Sequence, residues 1–316
     1  MCQFKSGITT KNEEVLIGKT DSHSKLEKTY NLQDNTWDPA RMLYFKWEFV
    51  PNDNESLIDY LFGRFNFDDW ELQIDEERTP DWVTERILDK TRRKVIKFLK
   101  ESRKEGVFPG DLNLSYSQIK ELPEDLVVGG NLNLSYSLIK KLPEDLEVGG
   151  DLDLVGTPIE ELPEGLEVRG DLNLYYTQIK ELPEGLEVGG DLNLFGTPIK
   201  KLPEGLKVGD SLILSYLQIK ELPEGLEVGG SLNLFGTPIK EFPERLEVGG
   251  DLNLKGTQIK KLPEGLEVGG FLCLEGTKIK KLPEGLVVGG YLNLRETKIK
   301  ELPEDLIVKG EIHKNF

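Results

Sequence analysis

Histidine and cysteine are nearly missing from this chain of 316 residues: His23, His313, Cys2 and Cys273 are the only four. That scarcity excludes a histidine-rich metal centre, and two cysteines so far apart build neither a disulfide framework nor a cysteine-based zinc site. No metal and no cofactor is expected, and the sparse cysteine suits a reducing compartment. Also missing are a P-loop, a dinucleotide-binding glycine motif, a C-x-x-C pair and H-E-x-x-H. No stretch approaches the roughly 18 to 20 apolar residues of a membrane span. The N-terminus, Met1 to Gly7, runs into Lys11, Glu13 and Glu14 without an apolar leader core. A soluble, cytoplasmic chain is the expectation. Positive charge is short as well, 40 basic against 57 acidic residues for a net of −17, so nucleic acid and anionic membranes would be repelled.

What the chain has is a repeat. From Gly110 to Lys309 the sequence returns every 20 residues, ten blocks whose consensus is G-D-L-N-L-x-G-T-x-I-K-x-L-P-E-G-L-E-V-G. A period this strict indicates stacked copies of one structural unit. Apolar residues recur at six places, Leu112, Leu114, Ile119, Leu122, Leu126 and Val128 in the first block, and these are expected to face inward. Asp-Leu-Asn-Leu alternates with period two, predicting one short strand per block, paired in parallel with its neighbours. Gly129-Gly130 and its equivalents suit a sharp corner. Pro123, Pro143, Pro163 and their successors, lacking an amide hydrogen, keep the opposite flank from forming a ladder or a long helix.

The blocks resemble the leucine-rich repeat family, in its short 20-residue bacterial form with Leu-Pro in every unit; Phe242-Pro243 replaces it once. The resemblance covers 110–309 and implies a parallel β-solenoid that binds protein partners, in a protein of bacterial or phage origin. The match to the family strand pattern is a variant one. Ser117, threonine in most later blocks, stands where the family asparagine belongs, so a horseshoe and a straighter solenoid are both open. Some short bacterial members carry a separate C-terminal ubiquitin-ligase domain; with 310–316 as a short remnant, that activity is not expected.

With leucines inward, the strand's outer side carries Asp111, Asn113, Ser115 and their equivalents. Asparagine holds the middle place in seven of ten blocks, the exceptions being Asp153, Ile213 and Cys273, and an amide ladder across the sheet is the expected use. Aromatic residues collect at or beside outward places: Tyr116, Tyr136, Tyr175, Tyr176, Phe195, Tyr216, Phe235, Phe271 and Tyr291. Rings on a rigid sheet lose little entropy when a partner immobilises them, which makes Tyr136 to Tyr291 the candidate binding residues. Stacked rings that merely cover neighbouring blocks are the alternative. Charge is graded, with a net of −12 over the first four blocks, 110–189. A solvated face accounts for this, and so does attraction of a basic protein or mimicry of a nucleic-acid backbone.

Residues 1–109 contain no repeat and read as α+β, a capping or effector domain ahead of the solenoid. Gln3–Thr9, Val15–Gly18, Met42–Val50 and Trp70–Ile74 are strand candidates, and Ser22–Tyr30 a helix. A second helix is expected to open at Thr79-Pro80-Asp81 and end near Glu105, burying Val83, Ile87, Thr91, Val95 and Phe98 or Leu99. Its basic second half, including Arg92, Arg93, Lys94 and Lys97, suits a helix C-terminus and a lid over the acidic first coil. Removal of Met1 would expose Cys2 as an N-terminal nucleophile with its own amine as base; His23 and Asp75 are the accompanying candidates.

Three functions follow from these features: a protein-binding scaffold, an N-terminal Cys2-dependent enzyme or effector targeted by the solenoid, and an acidic decoy for a nucleic-acid-binding protein. The first is preferred, with a protein partner, no membrane and no nucleic acid. An enzyme is the less favoured reading.

Overall fold

Residues 5–17, 44–51, 70–74, 79–102, 107–108, 110–243 and 246–314 are described by a computed structural model of the chain. Two compact units divide it, 1–114 with 123–132, and 115–122 with 133–316. Cys2, His23, Asp75 and the expected helix at Ser22–Tyr30 lie outside the described residues. No described helix is long and apolar enough to cross a membrane.

The N-terminal region is an antiparallel sheet of β1 (Lys5–Thr10), β2 (Val15–Ile17), β3 (Tyr44–Pro51) and β4 (Trp70–Ile74), in the order β2-β1-β3-β4. Ile8 stands opposite Leu16 on one side and Lys46 on the other. Glu13, at φ 62°, closes the β1–β2 hairpin, where Thr10 and Glu14 pair their backbones. The helix α1 spans Glu85–Ser102, later than expected. Thr79-Pro80-Asp81 forms a separate turn, in which Val83 N–H donates to Pro80 C=O, and the carbonyl of Thr84 receives the first helical bonds from Ile87 and Leu88. Thr84, immediately before Glu85, thus stands at the N-cap place that the sequence assigned to Thr79. Ile87, Thr91 and Val95 are buried as the spacing predicts; the side chains of Phe98 and Leu99 lie outside the described set. The helix packs on β2, with Thr91 Oγ1 3.1 Å from Thr9 Oγ1 and both Arg86 and Lys90 bonded to the Glu13 carboxylate. Those bonds, first with Arg86 and then with Lys90, hold the Glu13 carboxyl at about 2, well below its ordinary value.

From 112 to 313 the chain is a parallel β-solenoid of about ten coils. All six apolar places of the first block are buried, and the same six recur down the array almost without exception. Each fully buried leucine contributes about 1.5 to 3 kcal/mol, so a coil derives its stability from burying its aliphatic edge against the coils on either side. Numbering positions within a coil from Gly110 as position 1, the Leu-Asn strand occupies positions 3 and 4, Leu172–Asn173 for instance, and pairs with Leu152–Asp153 and Leu192–Asn193.

The structure corrects the expectation of one strand per coil. A second, Glu-Val strand runs through positions 18 and 19, as at Glu187–Val188, and builds its own sheet in steps of 20 residues. Val188 is buried and Glu187 exposed, so the alternation is there, but two residues are too few for a periodic signal. The Glu-Val sheet begins at Val107–Phe108, before Gly110, and the Leu-Asn sheet reaches Ile312–His313.

The chain bends at the paired glycines as their sequence suggests, but the physical reason for glycine is a different one. They do not adopt left-handed angles; they make room. A Cβ on Gly189, Gly209 or Gly229 would overlap the carbonyl oxygen of the residue 20 positions earlier, and one on Gly170 or Gly190 would overlap the carboxylate of Asp151 or Asp171. Those aspartates are part of the frame: Asp151 Oδ1 accepts the Asp171 N–H at 2.9 Å, Asp171 that of Asp191 at 2.7 Å, and Asp191 that of Ser211 at 2.7 Å.

Candidate functional site

The outward face of the Leu-Asn sheet is shaped by the turn that follows the strand. At position 8 a buried threonine closes it: Thr177 donates both its N–H and its hydroxyl to the carbonyl of Leu174, and Thr157, Thr237 and Thr277 repeat the pattern. Asparagine at position 4 holds the near side. Its oxygen accepts the N–H two residues on within the same coil, Asn173 from Tyr175 at 3.2 Å, Asn193 from Phe195 at 3.1 Å and Asn233 from Phe235 at 3.1 Å. The expected amide ladder is thus replaced by turns inside these coils, because the strand ends at the asparagine and the amide two residues on needs an acceptor.

Such a turn requires a left-handed residue at position 7, where glycine is free of steric cost. Glycine stands there in five coils, Gly156, Gly196, Gly236, Gly256 and Gly276. Four other coils use tyrosine in the same conformation: Tyr116 (φ 56°), Tyr136 (55°), Tyr176 (57°) and Tyr216 (61°). A side chain here costs roughly 1 to 2 kcal/mol per residue relative to glycine. Where the next coil has glycine, the ring sits on it. A Cβ on Gly156 would come within 2.7 Å of the Tyr136 ring, on Gly196 within 2.6 Å of Tyr176, and on Gly236 within 2.9 Å of Tyr216.

Positions 6 and 7 are complementary. Ser-Tyr at 135–136 and 215–216 places the ring at position 7, whereas Phe-Gly at 195–196 and 235–236 places it at position 6. The result is a continuous strip. Tyr175 lies edge-on to Tyr176 at 4.3 Å and stacks on Phe195 at 5.3 Å. Phe195 meets Tyr216 edge-on at 6.0 Å, and Tyr216 meets Phe235 at 4.8 Å. Tyr116 and Tyr136 form a stacked pair at 5.0 Å. The adjoining Tyr176 phenol, then burial and the Tyr136 hydroxyl, push the Tyr175 phenol above its ordinary pKa. The strip remains open to solvent, with Tyr176 54% and Tyr216 57% exposed.

Of the eight candidate binding residues, Tyr175, Tyr176, Phe195, Tyr216 and Phe235 are joined in one run, while Tyr136 stacks on Tyr116, one ring-free coil away from it. Phe271 and Tyr291 are elsewhere, at position 2, stacked on each other at 5.0 Å with His313 beyond. Between the two groups position 6 turns polar: Lys255 Nζ binds Glu275 Oε1 at 2.7 Å and Asn293 Nδ2 donates to Glu275 Oε2 at 3.0 Å. The Lys255 bond holds the Glu275 carboxyl below the usual range, and the same bond raises the Lys255 ammonium. Sequence reasoning missed the glycine seats 156, 196 and 236; the alternation of Ser-Tyr with Phe-Gly at positions 6 and 7 is the signal that could have found them.

The Glu-Val sheet bears an open trough of about 800 Å³ edged by Glu167, Arg169, Glu187 and Lys207. Its floor amides, Gly189, Gly209 and Gly229, all donate to the preceding coil, which leaves no convergent donors for a ligand. Among the described residues no cluster of histidine, cysteine or carboxylate side chains is arranged to hold a metal ion.

A 20-residue coil with paired leucines on its first strand and a leucine-proline return completes the description of the array. The solenoid is leucine-rich-repeat-like. Among solved structures, a leucine-rich repeat protein of Leptospira interrogans is similar to the chain, 17% identical over 61% of this chain and 79% of that one, with a TM-score of 0.27. No protein-family model matches the chain, and no curated protein matches it.

Proposed function

We propose that the protein is a protein-binding scaffold whose solenoid recognises its partner through the aromatic strip from Tyr136 to Phe235. The observation that carries this reading is the left-handed tyrosine at position 7. Five coils of the same array fold with glycine there and one with Glu296, so the fold does not require the ring, and four coils bear the conformational cost in order to place one. Rigid rings in an exposed row, flanked by hydroxyls, are the groups that concentrate binding energy at protein interfaces.

The test replaces Tyr176 and Tyr216 by glycine in the full chain and compares thermal unfolding and partner capture with the wild type. The variant is expected to melt within a few degrees of the wild type, because relieved strain offsets lost ring contacts of about 0.5 to 1.5 kcal/mol each, and to lose the proteins that the wild type retains. Unchanged capture would refute the assignment of this face.

A further inference from the structure

Resting on the reading of the strip as the interaction face, we infer that its partner is an extended arginine-rich segment. Three carboxylates border the strip where its rings are densest. Asp153 is at position 4 of the coil before Tyr175, in register with Asn173, and Asp171 and Asp191 are at position 2 of the coils that carry Tyr175 and Phe195. Among the described residues none of the three is within ion-pair reach of a lysine or arginine. Three lysines of the neighbouring coils are paired at other places, Lys141 with Glu161, Lys180 with Glu160 and Lys207 with Glu187. The first four coils, with a net of −12, carry Asp153, Asp171, Tyr175 and Tyr176 and adjoin the coil of Asp191 and Phe195, so the field over these rings favours a cation.

Ring faces and carboxylates together select arginine over lysine. A guanidinium is planar, stacks on an aromatic face and binds a carboxylate through two N–H groups at once, whereas an ammonium is a strongly hydrated point charge. Asp171 Oδ1 and Asp191 Oδ1 each receive one backbone N–H, and an ionised carboxylate has a second oxygen to offer. Alternate residues of an extended segment lie about 6.6 Å apart, the same as successive outward positions of a strand. A segment lying along the strand direction with arginine at every second place would set one guanidinium on the rings at position 6, the next beside Asp153 and a third beside Asp171 or Asp191.

The experiment measures fluorescence anisotropy of a labelled alternating arginine–glycine peptide with the full-length protein, against lysine–glycine and glutamate–glycine peptides. A variant carrying Asp153→Asn, Asp171→Asn and Asp191→Asn keeps an acceptor oxygen at each place, since an amide oxygen accepts an N–H as a carboxylate oxygen does; asparagine already serves at position 4, as in Asn173 and Asn193, and stands at position 2 as Asn131. Wild type is expected to bind the arginine peptide more tightly than the lysine peptide and to ignore the acidic one. The triple variant should weaken arginine-peptide binding by about fivefold or more, as loss of three exposed ion pairs implies. Equal binding by the triple variant, or no binding by wild type, overturns the inference. Should the arginine peptide fail while Tyr176→Gly with Tyr216→Gly still abolishes partner capture, the basic segment is wrong and the interaction face stands. Undiminished peptide and partner binding by that tyrosine variant would overturn both.

Discussion

Alanine at Gly196, introduced with and without the Tyr176 ring, measures how strongly a ring is seated on the coil beyond it. Gly196 has φ 77°, and a Cβ there would stand 2.6 Å from Tyr176 Cδ1 and 2.8 Å from Cε1. Gly205, at φ 66° with nothing within 4 Å of such a Cβ, supplies the cost of the backbone alone. That cost is about 1 kcal/mol: roughly 1 to 2 for a left-handed alanine, reduced by about 0.4 to 1 because alanine narrows the unfolded ensemble. At Gly196 the ring must also swing away from Phe195, 5.9 Å distant and perpendicular, and from Tyr175. Each such aromatic contact is worth about 0.5 to 1.5 kcal/mol, so Gly196→Ala should cost about 2 to 4 kcal/mol. In the background of Tyr176→Gly the same change should fall back to about 1, leaving a coupling of about 1 to 3 kcal/mol. Urea unfolding of the two single variants, the double variant and Gly205→Ala supplies every number. Equal costs for Gly196→Ala in both backgrounds would refute the seat, and with it the account of why glycine alternates with tyrosine at position 7.

Gly229→Ala tests the second glycine column. Its Cβ would overlap backbone, the Gly209 carbonyl, rather than a ring that can turn aside, so a loss of about 3 kcal/mol or more is expected, well beyond that of Gly205→Ala. A cost no greater than at Gly205 would show that the coils can separate locally. In the N-terminal region, Glu13 has a folded pKa of about 2 against an ordinary 4.5. A depressed carboxyl stabilises the fold fully above the unfolded value and loses that contribution as pH falls from about 4.5 toward 2. Wild type should therefore exceed Glu13→Gln in stability at neutral pH and converge on it through that window, measured by circular dichroism of α1 during denaturation at each pH. A gap that is constant with pH would count against the pairing with Arg86 and Lys90.

The coil was legible because its signal is repeated ten times. Leu112, Leu114, Ile119, Leu122, Leu126 and Val128 are buried as their recurrence predicts, since a position that is apolar in every copy has only the interior to serve. Relations between coils were not legible. Gly189 is needed because the carbonyl of residue 169 lies against it, and Gly196 because the ring of Tyr176 does; neither partner is near in sequence. Asn173 was read as one rung of a ladder, yet its oxygen is committed to the amide of Tyr175, a local choice that periodicity does not encode. The aromatic residues were found by composition, but joining Tyr175, Phe195, Tyr216 and Phe235 while setting Phe271 and Tyr291 apart required knowing that positions 2, 6 and 7 differ in where they place a ring.

Two adjacent residues, positions 6 and 7, hold nearly all of the strip's chemistry, while the other eighteen keep each coil interchangeable with the next. Ser-Tyr, Phe-Gly, Lys-Gly and Arg-Glu all stand on the same frame, as at 215–216, 235–236, 255–256 and 295–296. Copying or deleting one whole block therefore rewrites the surface in single letters without disturbing the leucine lattice beneath. Diversity at the face and constancy in the interior are inherited separately, which lets such an array change what it touches as fast as its gene recombines.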